Sequence, residues 1–239
     1  YLLEALFFIG DVSRFQSALD RFEQTIDRPS FPQRENVQSL AFLYRYGHKF
    51  NAHFMAGTFH EGLRLVDPVL AGIEHYREKI DEHHVMIFYY KIACLYFGCG
   101  QYKLCIEYLG LIIENKSLGM REDLLCFSRI LNLVAHYEAG IDYQIERLIL
   151  STYKFLIKME DLHQVQRAMI SFIRSLTQVY PHEIKKSFKR LHETLSQYKN
   201  DPFERRSFLY LDILTWLQSN IEGKSIPEII QQRVAQSTA

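Results

Sequence analysis

The sequence predicts an all-α fold, an α-α superhelix (solenoid) of about six helix pairs, and three observations carry that prediction. Apolar residues recur at steps of three and four along most of the chain. No stretch sustains the period of two that a half-buried strand requires. A short glycine-containing turn followed by an aromatic residue returns four times at a nearly fixed spacing. Composition agrees. Of 239 residues 48% are hydrophobic, enough for a large core, while 11 glycines and 6 prolines are too few for a turn-rich β-sandwich.

The elements follow in order. The first helix opens near Leu2 in mid-pattern, since Tyr1-Leu2-Leu3 carries no cap, as expected of a chain that continues upstream. The four turns are Gly10-Asp11-Val12-Ser13-Arg14-Phe15, Gly57-Thr58-Phe59-His60-Glu61-Gly62, Gly100-Gln101-Tyr102-Lys103-Leu104-Cys105 and Gly140-Ile141-Asp142-Tyr143. Their aromatics, Phe15, Phe59, Tyr102 and Tyr143, stand 44, 43 and 41 residues apart, a period in the range of stacked helix pairs. Glycines at Gly10, Gly57, Gly98/Gly100, Gly140 and Gly223 fall between helical runs, where a helix end needs a residue tolerant of positive φ. Between the turns, Tyr89, Ile92, Ala93 and Tyr96 form one helical stripe and Cys105, Leu109 and Ile112 another. Leu148, Tyr153 and Leu156 are less regular. Past about residue 160 the signature fades, and 168–180 with 183–197 read as a plainer helix pair. Asp201-Pro202-Phe203-Glu204 and Ser225-Ile226-Pro227-Glu228 each combine a cap, an early proline and a glutamate three residues on. About twelve helices result. Residues 1–160 form the repeats, and 161–239 form a degenerate repeat with C-terminal capping helices.

Charge and motif content exclude several functions. Lys+Arg and Asp+Glu both total 28, so the basic excess of a nucleic-acid binder is absent. The one basic cluster is Lys185, Lys186, Lys189 and Arg190 with Phe188 between them; it is read as a solvated helix face, or else as a site for an acidic partner. The longest apolar-looking stretch, Val85 to Gly100, spans 16 residues around Lys91, which is short of a membrane span. With no secretory leader pattern at the start, the four cysteines are expected to be reduced thiols in a cytoplasmic protein. Cys94, Cys105 and Cys126 sit in apolar contexts and read as packing, and Cys99 as the most exposed thiol. Three His-Glu dipeptides begin at His60, His182 and His192, but Arg64, Lys186 and Ser196 stand where a zinc site needs its second histidine. His75, His83 and His84 read as surface residues. Gly98-Cys99-Gly100-Gln101-Tyr102-Lys103 follows a helix and lacks the third glycine of a dinucleotide loop. Neither catalysis, a metal nor a cofactor is expected.

These residues together resemble the tetratricopeptide repeat family. Residues 86–119 match best, with Tyr89, Ile92, Ala93 and Tyr96 on the first helix and Gly100, Tyr102, Cys105, Leu109 and Ile112 on the second. The next unit keeps Ile130, Leu133, Val134, Tyr137, Tyr143 and Leu150 but has Glu146 at a small position. The unit at 43–76 keeps Gly57, Phe59, Gly62, Val66 and Val69 but has Phe50 at a small position. Here the period exceeds the roughly 34 residues of the standard repeat, so longer helices or joins are implied. In this family the first helices line a concave groove. The resemblance places Tyr44, Asn51, Phe54, Met55, Ile87, Tyr90, Lys91, Cys94, Phe97, Leu131 and Asn132 in it, with Ser128, Ala135 and Glu138 beside them. Only Asn51, Lys91 and Asn132 suit a carboxylate clamp, so hydrophobic anchors of a peptide or helix are implied instead. The competing reading is that the superhelix closes or other helices fill the groove, making these residues core. The resemblance implies a non-catalytic scaffold binding a protein or peptide, with neither nucleic acid nor membrane as partner; the alternative is a sensory or regulatory repeat domain of a longer signalling or transcription-regulating protein.

Overall fold

The structure is a computed structural model that describes residues 1–115, 122–158, 164–176, 183–199, 201, 204 and 212–237, with the side chains of 122, 142–144, 176 and 237 outside that set. Among the described residues there are helices and turns and no strand. The helices are α1 (Leu2–Ile9), α2 (Val12–Ile26), α3 (Glu35–Ala56), α4 (Phe59–Gly62) and α5 (Val66–His75), the last two joined by a 3-10 turn, Leu63–Leu65. There follow α6 (Glu82–Gly98), α7 (Tyr102–Ile113), α8 (Glu122–Glu138), α9 (Asp142–Lys158) and α10 (Gln164–Leu176). The chain ends with α11 (Ile184–Ser196), α12 (Ile213–Glu222) and α13 (Ile226–Ser237). Sequence neighbours pack on one another, and α3, α6, α8 and α10 also pack in series, each against the next. The boundary near residue 160 falls outside the described residues.

The repeated turn has one geometry. Gly10, Gly57, Gly100, Gly140 and Gly223 all have φ between 66° and 77°, a conformation an L side chain adopts only under strain. After each, the next N–H reaches back to a carbonyl five residues earlier: Asp11 to Leu6, Thr58 to His53, Gln101 to Tyr96, Ile141 to His136 and Lys224 to Ser219. This bond satisfies a carbonyl that the helix end leaves without a partner. Of the aromatics that follow, Phe15 and Phe59 are buried and Tyr102 is half-buried. Tyr143 lies among the side chains outside the described set. Gly98 ends α6 rather than forming the turn, and a Cβ there would lie 2.3 Å from the Phe59 ring. Gly62 likewise admits Leu95, 2.8 Å from where its Cβ would be. Small residues therefore set the helix-to-helix approach.

Burial changes along the chain. Leu3, Leu6, Phe15, Ala18 and Leu19 make a small cluster between α1 and α2, and one larger core extends from Phe42 to Ile226. Its centre is α6, which is buried on every side: Phe88, Ile92, Ala93, Cys94, Leu95 and Phe97 are all inside. A helix apolar all round belongs in the middle of a core.

The C-terminal part departs from the sequence reading in three places. The helix expected over 168–180 is α10, beginning four residues earlier at Gln164. The Asp201 cap forms as read, its Oδ1 accepting from the Glu204 N–H at 3.3 Å, while the Glu204 carboxylate reaches α10 and accepts from the N–H groups of Gln164 (2.6 Å) and Val165 (3.2 Å). That carboxylate neutralises the positive end of a helix 40 residues earlier in the chain. Pro202 and Phe203 lie outside the described residues. The Ser225 capping box forms as read: Ser225 N–H donates to Glu228 Oε2 at 2.7 Å, and Glu228 N–H to Ser225 Oγ at 3.4 Å. The helix it starts, however, does not merely cover the far end. α13 returns to α3, where Gln231 Nε2 donates to the Gly57 carbonyl at 3.0 Å. A Cβ on Gly57 would lie 2.9 Å from the Pro227 carbonyl oxygen, so glycine here serves both the turn and the contact.

Candidate functional site

Side-by-side packing of α3 and α6 joins two polar residues from apolar surroundings. Lys91 Nζ donates to Asn51 Oδ1 at 2.6 Å and to the Gly47 carbonyl at 2.8 Å. Lys91 and Asn51 are each 5% exposed, and His48, on the same face of α3, is 8% exposed. Burial lowers the Lys91 pKa to about 7, against the opposing pull of Cys94 and Glu4. Burial, aided by the charge of Lys91, lowers His48 to about 4, so its ring is neutral at pH 7. The His48 Nδ1 is buried and has no hydrogen-bond partner.

These three residues border a cleft of about 510 Å³ between α1, α3, α6 and α8. Its apolar lining is Phe7 and Phe8 from α1, Leu40, Leu43 and Tyr44 from α3, Ile87 from α6 and Phe127 from α8. Tyr44 lies parallel to His48, ring centroids 6.2 Å apart. Glu4, His84 and Asp123 supply the remaining polar lining. His84 Nδ1 is 2.7 Å from Asp81, the N-cap of α6; burial raises the Asp81 pKa, but the His84 N–H and then its ring outweigh that and lower it.

The rest of the predicted groove is filled. α10 and α12 lie over α6 and α8, and the space lined by Tyr90, Leu131, Val165, Met169 and Trp216 is only about 20 Å³. That is room for about one water molecule. Tyr90, Cys94, Phe97, Leu131 and Asn132 are all buried, and so are Ser128 and Ala135. Phe97 meets Tyr102 edge-on at 5.2 Å, and the Asn132 carbonyl faces His136 Nδ1 at 2.8 Å. Glu138 accepts from Trp216 Nε1 at 2.5 Å and Asn220 Nδ2 at 3.2 Å, tying α8 to α12. Phe54 is buried against Phe59, and Met55 packs on the α1–α2 cluster. Of the eleven groove residues, the structure brings Tyr44, Asn51, Ile87 and Lys91 together at the cleft. The other seven belong to the packing between helices.

Among the described residues, no three His, Cys, Asp or Glu side chains gather as a metal site, and no helix is long and apolar enough to cross a membrane. Cys94, Cys105 and Cys126 are buried free thiols and Cys99 is half-buried. Burial pushes the Cys94 and Cys105 pKa values up, and that of Cys99 to about 11, so none is an activated thiolate. Lys185, Lys186, Lys189 and Arg190 are exposed on α11. Phe188 does not share their face: it is buried, 5.0 Å from Phe172 and 5.4 Å from Trp216.

No family model, curated protein or solved structure matches the chain. The tetratricopeptide likeness therefore rests on the residues quoted for it. His48 was missed although Tyr44, His48 and Asn51 follow at steps of four and three, which put them on one helix face. Phe127 and the α1 phenylalanines carry no such signal, because only the packing of α1 and α8 around α3 and α6 brings them in.

Proposed function

We propose that the chain is a non-catalytic binding module, a tetratricopeptide-like superhelix that holds a protein or peptide on its concave side. The cleft between α1, α3, α6 and α8 carries this reading, because four residues assigned to the groove line its surviving opening. Aromatic and aliphatic walls supply anchor contacts, and a few buried polar groups fix direction. Nucleic acid, membrane and cofactor have no part in it. The basic face of α11 is exposed with Phe188 buried behind it, and it reads as solvated surface.

The test is selection of a displayed random-peptide library on the unmodified chain. Enriched peptides should lose binding to Tyr44→Ala/Ile87→Glu and keep it with Lys185→Ala/Lys186→Ala. Enrichment that survives the first variant and vanishes with the second rules the cleft out, and so does failure to enrich at all.

A regulatory reading has one observation in its favour. α3 lines the cleft and also bears the Gly57 contact with α13, so a ligand that spreads the cleft acts on the helix that α13 grips. Faster hydrogen exchange in α13 on peptide binding supports this reading, and unchanged exchange removes it.

A further inference from the structure

We propose that the outer face of α9 is a second docking surface, one that takes an acidic amphipathic helix of a partner protein. No α9 residue lines the cleft, so the proposal stands apart from the reading of that cleft. Large exposed apolar side chains are unevenly distributed over the molecule. Among the described residues they gather on α1 and on the part of α3 beside the cleft, and again on α9, with Leu111 alone elsewhere.

On α9, Leu150, Tyr153 and Ile157 are 58%, 48% and 57% exposed. At about 100° per residue the three fall within about 60° of one another, so they form one stripe along the helix. The fold does not use this stripe. Ile145, Ile149, Thr152 and Leu156 are the side that α9 buries, and the helix packs on α8 and α10. Helix α11 shows the ordinary alternative: it buries Phe188, Leu191 and Leu195 and exposes no large apolar side chain. Single exposed apolar residues are common on any protein, whereas three in register on one helix face mark a contact surface.

Charge names the occupant. Arg147, Lys154 and Lys158 are exposed and follow one edge of the stripe, within about 80° of Leu150 on the side away from Tyr153. None of the three is paired with an acid among the described residues. Glu146 is the only acid among the described side chains of α9. A second copy of the chain would bring the same cations to the same stripe, and like charge opposes that pairing. A partner helix with apolar residues at steps of three and four, and carboxylates along one edge, complements both features. Exposed ion pairs add little each, so the apolar anchors supply most of the affinity and the charges select the partner.

The experiment titrates synthetic helical peptides of about 20 residues into the whole chain at about 50 mM salt, read by fluorescence anisotropy. One peptide has leucine at the a and d positions and glutamate beside them; a second has lysine for every glutamate, and a third has serine for every leucine. The glutamate–leucine peptide should bind at least about tenfold more tightly than either of the others, and its lead over the lysine peptide should shrink at about 0.5 M salt. Leu150→Ser/Ile157→Ser should weaken it at least about tenfold, and Lys154→Glu/Lys158→Glu should reverse the preference between the glutamate and lysine peptides. All four side chains are exposed, so both variants leave the core unchanged. Tyr44→Ala/Ile87→Glu should bind the peptide like the unmodified chain, which separates this surface from the cleft. Equal binding of the glutamate and lysine peptides overturns the proposal, as does full binding by Leu150→Ser/Ile157→Ser or absence of binding. So does dimerisation that Leu150→Ser/Ile157→Ser abolishes, which assigns the stripe to a second copy. Vesicles of phosphatidylcholine and phosphatidylserine that bind through these residues while the peptide fails assign it to a membrane and overturn the proposal equally. Each of these failures leaves the cleft reading standing, because the two surfaces share no residue.

Discussion

Replacing Lys91 by methionine should change stability with opposite signs at neutral and alkaline pH. Lysine ordinarily loses its proton near 10.5, and in the folded chain Lys91 does so near 7. The unfolded state therefore binds the extra proton between these values, and it gains relative to the folded state wherever it does. The resulting penalty on the fold is complete below about pH 7 and is relieved as pH rises towards 10.5. At about 1.4 kcal/mol per pH unit it amounts to about 5 kcal/mol. Methionine removes the penalty but leaves Asn51 Oδ1 without its lysine donor, at about 1–2 kcal/mol, while the Gly47 carbonyl, inside α3, keeps its helical bond. The variant should be more stable by about 3–4 kcal/mol at pH 7 and slightly less stable at about pH 10. Urea titrations of both proteins at about pH 7, 8, 9 and 10 read the difference, which should change by about 3–4 kcal/mol over that interval. Other titrating groups are common to both chains and largely cancel. Parallel stability profiles would refute the buried-amine argument, because a lysine with an ordinary pKa gives no differential slope here.

Three further substitutions probe the packing. Gly57→Ala forces an alanine into φ 68° against the Pro227 carbonyl, costing about 1–2 kcal/mol in urea denaturation and hastening hydrogen exchange in α13; unchanged exchange there would break the α3–α13 contact as described. Cys105 is wholly buried, so Cys105→Phe should lower stability by about 1–3 kcal/mol through overpacking while alanine costs less; an unchanged denaturation midpoint would contradict the packing. Ser225→Ala removes the hydroxyl arm of the capping box and should cost about 1 kcal/mol by thermal denaturation, an effect that Glu228→Gln should reproduce only in part.

Local rules made the helix pairs legible, and non-local packing concealed which faces stay open. Each left-handed glycine and the Ser225–Glu228 box depend on residues within about five positions, so spacing alone located them. On α6 that logic reached its limit. Ile92 and Ala93 were assigned to one face and Tyr90, Cys94 and Phe97 to the opposite one, and both are apolar. Nothing local says that α10 and α12 will cover the second face, and Val165 and Met169 on α10 with Trp216 on α12 are what close it. Lys91 held the clue that was available. A lysine midway along a helix with apolar neighbours all round has to be solvated or internally bonded, and the partner is Asn51, another predicted groove residue. The return of α13 to α3 spans 174 residues between its bonded partners, a distance at which sequence periodicity carries no information.

The proposed binding site is the cleft rather than the filled side or the basic helix. Methyl spectra of an isoleucine-labelled chain titrated with a library-selected peptide tell these sites apart. Ile87 lines the cleft, Ile130 faces the space closed by α10 and α12, and Ile184 starts the basic helix α11. The Ile87 methyl should shift saturably, with Ile130 and Ile184 unmoved. A shift at Ile184 with Ile87 unmoved would contradict it.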